Sequence, residues 1–413
     1  MRASILFQAI ALLTLMLTCR GSGAVTKPRA AEDWKVGTPI VTYFAGPAMT
    51  EEVARQMAEG NFNVVWCGEK DLDLLGRHRL RGMLHDGLLS PASLEDAGKR
   101  QKLDDLIGRV RGHPAMYSYY IIDEPGAASF PSLAKLVAHL RERDPAHMAY
   151  INLFPTYASN EQLGTKGDAV PAYREYLRQY LDLVKPALVS YDHYQFMKVG
   201  DTTQYFLNLG LVRRASQDAG VPFLNIVQAS SWQPGVRVPN ENELRYLLYT
   251  TLAYGAQGIS YYVYTAAGHE GGIAAADGTP TPIYHALKVL NPQFVSVATE
   301  LQPLRSFAVY HTSLREAGCE PLPANAAFRP DPPAPDNPRG LLLGYFGKDG
   351  EASHAVVVNL DYKSEVRTTV LGPGDLELFG ASSSEWSAAN GPRADLRLPP
   401  GGGKLLRLAT RRR

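Results

Sequence analysis

At 413 residues, with 45% hydrophobic and 20% charged side chains, the chain has the length of two to three domains and the composition of an ordinary globular protein with ample core. A formal net charge of +1 gives no electrostatic reason to expect nucleic acid or an anionic membrane as partner. Three cysteines are too few for a disulfide framework or a thiolate metal cluster.

Near the N-terminus a charge-free, largely apolar run extends from Ile5 to Leu17, and Ser22 and Ala24 supply the small residues a signal peptidase accepts. Residues 1–24 are expected to be a cleaved signal peptide, followed by a linker over 25–38, which makes the protein secreted or periplasmic. The run is shorter than a membrane span, and no second stretch of spanning length follows. Thr18 is larger than the residue that usually precedes a lipidated cysteine, which disfavours anchoring through Cys19. Cys67 and Cys319 then remain, far apart in sequence, and two separately buried thiols suit them better than a bridge.

From residue 39 to 305 a strand-then-helix unit recurs eight times. The strands are "PIVTYF" (39–44), "FNVVWCG" (62–68), "GMLHDG" (82–87), "MYSYYIIDEP" (116–125), "HMAYINLFP" (147–155), "LVSYDHYQF" (188–196), "PFLNIVQAS" (222–230) and "GISYYVYTA" (258–266). The helical segments between them include "TEEVARQMAEG", with Thr50 as N-cap and Gly60 as stop. Strands apolar on both faces and alternating with helices predict a parallel sheet covered on its outside, and eight units of this length predict a (β/α)8 TIM barrel. A doubly wound open sheet is the competing architecture, but its glycine-rich phosphate turn is missing from "FAGPAMTEE" after the first strand. Beyond Arg305 the pattern changes to short alternating strands separated by turn residues, which predicts a small C-terminal β-sandwich over 306–413. Within it, the proline-rich stretch 320–340 reads as an extended surface loop.

Active sites of such barrels lie at the C-terminal strand ends. In strand order these ends present Tyr43; Trp66; His85 and Asp86; Asp123 and Glu124; Asn152; Tyr191, Asp192, His193 and Tyr194; Gln228 and Trp232; then Tyr262 and Tyr264. Aromatic rings with acids, amides and imidazoles suit a sugar, whose C–H faces stack on rings while its hydroxyls take hydrogen bonds. The alternative for any one tyrosine is a place in the core.

The run "YYIIDEPG" (119–126) aims two acids out of the fourth strand. Pro125 is expected to keep Glu124 extended at the mouth. Apolar neighbours and the adjacent Asp123 would raise the Glu124 pKa and keep a proton available for a leaving-group oxygen. A helix cap or salt bridge is the alternative use of the pair.

This "DEP" resembles the acid/base motif of retaining TIM-barrel glycosidases of clan A, which carry Asn-Glu, often Asn-Glu-Pro, at the same place. "ADGTPTPIYHALKVLN" (276–291) is similar to their loop-to-helix passage after strand eight, and "VVVNLDYKS" (356–364) to their appended β domains. The resemblance implies a glycoside hydrolase with Glu124 as acid. Two departures stand out: Gln228 occupies the strand-seven place of the family's nucleophilic glutamate, and Asp123 replaces the asparagine. Either Asp192 is the second carboxylate, a nucleophile if about 5 to 5.5 Å from Glu124 or a base if nearer 6.5 to 9.5 Å, or Asp123 and Glu124 act together. The latter arrangement resembles substrate-assisted β-N-acetylhexosaminidases, with Tyr191 or Tyr262 assisting. A non-catalytic carbohydrate-binding protein on a barrel without the strand-seven nucleophile is the third reading. The ten histidines show no close metal pairing and no serine elbow occurs, so neither metal nor other cofactor is expected. The oligomeric state is left open.

Overall fold

The computed structural model describes residues 39–332, 337–348 and 350–409. The expected signal peptide and linker, Cys19 and the closing arginines lie outside these residues.

Eight parallel strands, β1 (Ile40–Phe44), β2 (Val64–Cys67), β3 (Arg81–Leu84), β4 (Met116–Asp123), β5 (Met148–Leu153), β6 (Val189–His193), β7 (Phe223–Gln228) and β8 (Gly258–Tyr262), form one sheet in the order β1-β8-β7-β6-β5-β4-β3-β2. A helix follows each strand: α1 (Glu51–Glu59), α2 (Leu72–Arg77), α3 (Ala97–Val110), α4 (Phe130–Arg143), α5 (Ala169–Val184), α6 (Tyr205–Ala219), α7 (Glu241–Ala253) and α8 (Pro282–Leu301). This is the TIM barrel the sequence predicts. Thr50 caps α1 by accepting the Val53 N–H at 3.2 Å.

The strands bury both faces for different reasons. Ile40, Val64, Met83, Tyr117, Tyr150 and Ile226 fill the inside of the cylinder, while alternate residues such as Val41, Tyr119, Ile151 and Val227 pack against the helices. The ladder is open only between β1 and β2, where Asn63 makes the joint. Its N–H donates to the Val41 carbonyl at 3.0 Å, its side-chain oxygen accepts the Val41 N–H at 2.9 Å, and its side-chain NH2 donates to the Pro39 carbonyl at 2.7 Å.

The C-terminal region is antiparallel. Strands β9 (Arg305–His311), β11 (Leu341–Lys348), β12 (Glu351–Asn359), β14 (Leu376–Gly380), β15 (Glu385–Ala388) and β17 (Gly403–Leu408) form one sheet in the order β9-β11-β12-β17-β14-β15. A smaller sheet, β10-β13-β16, consists of β10 (Arg329–Asp331), β13 (Val366–Leu371) and β16 (Arg393–Leu398). Leu341, Val357, Val370, Leu396 and Leu406 fill the space between the two. The other face of the large sheet joins the barrel core through Leu342, Phe346, Val356 and Val358. Contact with α7 is close enough that a Cβ on Gly344 would collide with the Ala253 carbonyl.

The proline-rich stretch is not simply a surface loop. Phe328 is fully buried in the sandwich, and β10 pairs with β13. Pro330 lies on β10, the edge strand of the small sheet, where its missing N–H breaks no ladder. Cys67 and Cys319 are both free. No helix among the described residues is long and apolar enough to cross a membrane.

Candidate active site

The end of β4 is irregular. Its pairing with β5 shifts register between Tyr120 and Ile122, which brings Asp123 opposite Asn152 at the mouth. Glu124 then leaves the strand with φ +45°, in the left-handed region and not extended. Local proline sterics disfavour that conformation, and two neighbours overrule them: the Glu124 N–H donates to the Asn152 carbonyl at 2.9 Å, and the Tyr176 hydroxyl donates to the Pro125 carbonyl at 2.8 Å. A left-handed non-glycine residue costs on the order of 1 kcal/mol, and strain of this kind collects at functional sites.

The turn places Glu124 in the same cleft as Asp192 of β6. Burial and then the neighbouring Asp123 charge push the Glu124 pKa up to about 7. Asp192, itself buried, is held well above the usual carboxylate range by desolvation and by the Glu124 and Asp123 charges, against hydrogen bonds from Asn152 and Tyr194. Desolvation also raises Asp123, against donation from Asn152. The Asn152 NH2 bridges the cluster, 3.0 Å from Asp123 Oδ1 and 3.1 Å from Asp192 Oδ1. Its oxygen accepts from the Ser190 hydroxyl at 2.9 Å, which in turn contacts the Tyr150 hydroxyl at 2.7 Å.

These four residues line a cleft of about 700 Å³ at the C-terminal strand ends, within the usual range for small-molecule sites. Phe44, Tyr194, Trp232 and Tyr262 form an aromatic wall. Tyr194 meets Trp232 edge-on at 4.5 Å and Tyr262 at 5.1 Å, and Tyr262 stacks on Phe44 at 5.7 Å. Asp123, Glu124, Asn152, Asp192, Tyr194, Trp232 and Tyr262 are thus brought together.

The remaining predicted residues are not cleft lining. Tyr43 and Tyr264 point outward and pack on each other beneath the helices, and the Tyr264 hydroxyl donates to Gln56 at 2.5 Å. Tyr191 is likewise fully buried on the helix side, which removes it as an assisting tyrosine. His193 is fixed behind the cleft, with Nδ1 3.0 Å from Asn208 and Nε2 3.2 Å from Thr202; burial lowers its pKa to about 4, so it is neutral there. Trp66 lies at the edge, its indole N–H on the Tyr43 carbonyl at 2.8 Å and its ring 4.3 Å from that of Tyr120. His85 stacks on Trp66 in the open, and Asp86 closes a turn by accepting the Leu88 N–H.

Gln228 is committed elsewhere. Fully buried, it accepts the Phe196 N–H at 2.9 Å and donates to the carbonyls of Phe196 at 3.0 Å and Arg237 at 2.6 Å, tying the loops after β6 and β7 together. Arg237 continues this brace: it pairs with Glu243 at 2.6 Å and stands 3.7 Å from Asp201, a cleft residue. From the C-terminal sandwich, Tyr362 donates to Asp201 at 2.7 Å and Arg339 stands 3.8 Å away.

Strand-end reasoning missed the loop residues Tyr157, Gln162, Met197, Thr203 and Gln204, which also line the cleft. Their only signal is position, in the connections after the fifth and sixth strands. Among the described residues no group of three or more His, Cys, Asp or Glu side chains is arranged to hold a metal ion.

No protein-family model matches the chain, and no curated protein matches it in sequence. Solved structures do match in shape. A putative alpha-galactosidase from Bacteroides fragilis superposes with a TM-score of 0.50 at 10% identity, over 90% of this chain and 79% of that one. The beta-galactosidase of the psychrophilic Marinomonas ef1 gives 0.46 at 12% identity over 64% of this chain, which spans 61% of that protein's length. An endo-beta-1,4-mannanase from Thermotoga petrophila gives 0.43 at 10% identity over 87% of this chain and 97% of that one. For the Bacteroides fragilis structure, at 10% identity, the likeness is one of fold.

Proposed function

We propose that the protein is an exported glycoside hydrolase in which Glu124 protonates the oxygen of the bond to be cut. The observation that carries this reading is a glutamic acid with pKa raised to about 7, in an aromatic cleft that no lysine or arginine lines among the described residues. The glycosidase fold of the superposed structures supports it by analogy only.

Which group faces the cationic centre is the finer question. The adjacent Asp123–Glu124 pair at the end of β4, in one cleft with Tyr262, suits the substrate-assisted variant. There the oxygen of a 2-acetamido group attacks the anomeric carbon, Asp123 orients the amide N–H, Glu124 gives its proton to the leaving oxygen, and Tyr262 bonds the acetamido carbonyl. Asp192 then has a positioning role, held at the mouth by the Asn152 NH2.

The test is a panel of aryl glycosides and neutral glycans incubated with the wild-type protein and with Glu124→Gln. Hydrolysis lost in the variant with binding retained supports the enzyme; binding without hydrolysis in both makes it a carbohydrate-binding protein. Cleavage confined to N-acetylated sugars, with inhibition by a thiazoline mimic of the cyclised intermediate, supports substrate assistance. Turnover of sugars with a plain 2-hydroxyl removes it.

A further inference from the structure

The lining contributed by the connections after β5 and β6 is built differently from the aromatic wall. Gln204, just before α6, accepts the Thr156 hydroxyl on its side-chain oxygen at 3.1 Å, and Gln162, in the one-turn helix Asn160–Leu163 after β5, accepts the Ser159 N–H on its own at 2.9 Å. With the oxygens engaged, each amide is oriented, and neither NH2 group has a partner among the described residues. Both residues line the cleft, as does Thr203. Two donors, one on half-buried Gln204 and one on exposed Gln162, are thus presented to a ligand rich in acceptor oxygens.

Tyr157 completes this lining. It is 47% exposed in a chain that seals eleven of its 22 tyrosines or their rings almost completely, so its exposure is not the rule here. The ring packs edge-on against His193 at 5.1 Å, and His193 is itself held by Asn208 and Thr202, so the platform is rigid. Tyr157, Gln162, Thr203 and Gln204 come from the connections after β5 and β6, whereas Phe44, Trp232 and Tyr262 of the aromatic wall come from β1, the connection after β7, and β8. The charged residues lining the cleft are all acidic, namely Asp123, Glu124, Asp192 and Asp201. An anionic ligand would be repelled.

We propose that Tyr157, Gln162, Thr203 and Gln204 form a second sugar subsite, which takes the residue next to the one that meets Glu124. The ligand is then an uncharged oligosaccharide of at least two residues, and neither a single sugar nor an acidic glycan fills the cleft. This rests on the carbohydrate reading of the site given above.

Isothermal titration of the full chain carrying Glu124→Gln, which leaves the ligand intact, decides it. The probes are neutral ladders of one to four residues from the chito-, cello-, manno-, xylo- and galacto-series, with oligogalacturonate as the acidic counterpart. The expected result is a rise in affinity from one residue to two, with no binding of oligogalacturonate. Adding Tyr157→Ala should cut the disaccharide-to-monosaccharide affinity ratio about fivefold, and Tyr157→Phe should restore it. Gln204→Leu, from a different loop, should also lower the ratio and decides the matter if Tyr157→Ala does not fold. An unchanged ratio in folded variants overturns the subsite while the carbohydrate reading stands, and tight binding of oligogalacturonate overturns the neutrality of the ligand. Binding of no probe at all overturns the carbohydrate reading itself.

Discussion

Asp192 is the penultimate residue of β6 and Asp201 sits in the loop that follows, yet the two acids live under opposite electrostatic regimes. Around Asp192 the neighbours are Glu124, Asp123 and Asn152, and burial with the like charges of the two acids raises its pKa. Around Asp201 stand Arg237, Arg339 and the Tyr362 hydroxyl, with Glu243 paired to the same Arg237. One cluster is costly to fold and has titratable protons near neutral pH; the other is compensated and braces the cleft wall. Position on the rim therefore says little about function by itself. The presence or absence of countercharge separates an acid held ready for chemistry from an acid used as structure.

The largest effect that would break this contrast is on turnover. Glu124→Gln should lower kcat about 1,000-fold on whatever glycoside the wild type cleaves, whereas Glu243→Gln should act mainly on stability. The two variants also differ in sign by calorimetry. Because folding raises the Glu124 pKa from 4.5 to about 7, its contribution to stability is full below the lower value and is lost as pH rises through the upper one. The Gln variant should accordingly gain on the wild type between those limits, by on the order of 1 kcal/mol after solvent screening of a half-open carboxyl. A Glu124→Gln protein less stable than wild type at pH 8 would contradict the assignment.

Next comes Arg237→Ala. It strands Glu243, whose side chain is only 4% exposed, and should cost about 3 kcal/mol in denaturant unfolding. A cost near zero would show that the brace is ornamental. A smaller effect is expected from Asp123→Asn, which removes the charge that raises Glu124 after desolvation. The alkaline limb of the pH–rate profile should move to lower pH, and a limb that stays in place or moves up would exclude Asp123 as a cause. Smallest is Tyr362→Phe, which deletes one hydrogen bond to Asp201 and should cost about 1 kcal/mol.

The barrel was legible because β1 to β8 are apolar on both faces and alternate with helices, a pattern with few physical solutions. The acids of "DEP" were legible because carboxylates at the end of such a strand have no apolar use. The faces of single residues were not. Tyr43 and Phe44 are adjacent and equally aromatic, and strand phase sends the first under the helices and the second into the cleft. In β4 a register shift adds a further change of phase that no periodicity announces. Gln228 reads as a site residue until the two loops carrying Phe196 and Arg237 fold over it, and the contact to Phe196 spans 32 residues. Tyr157 and Gln204 belong to connections whose paths sequence periodicity does not define.

The joint at Asn63 bears on how the cylinder breathes. Every other pair of neighbouring strands is held by a ladder, while β1 and β2 are linked largely through one residue. Local opening should therefore begin there, and native-state hydrogen exchange should find the Val41 amide less protected than its counterparts in β6 and β7. Phe44 lies on the strand that would be released, so the aromatic wall has its loosest member beside this seam.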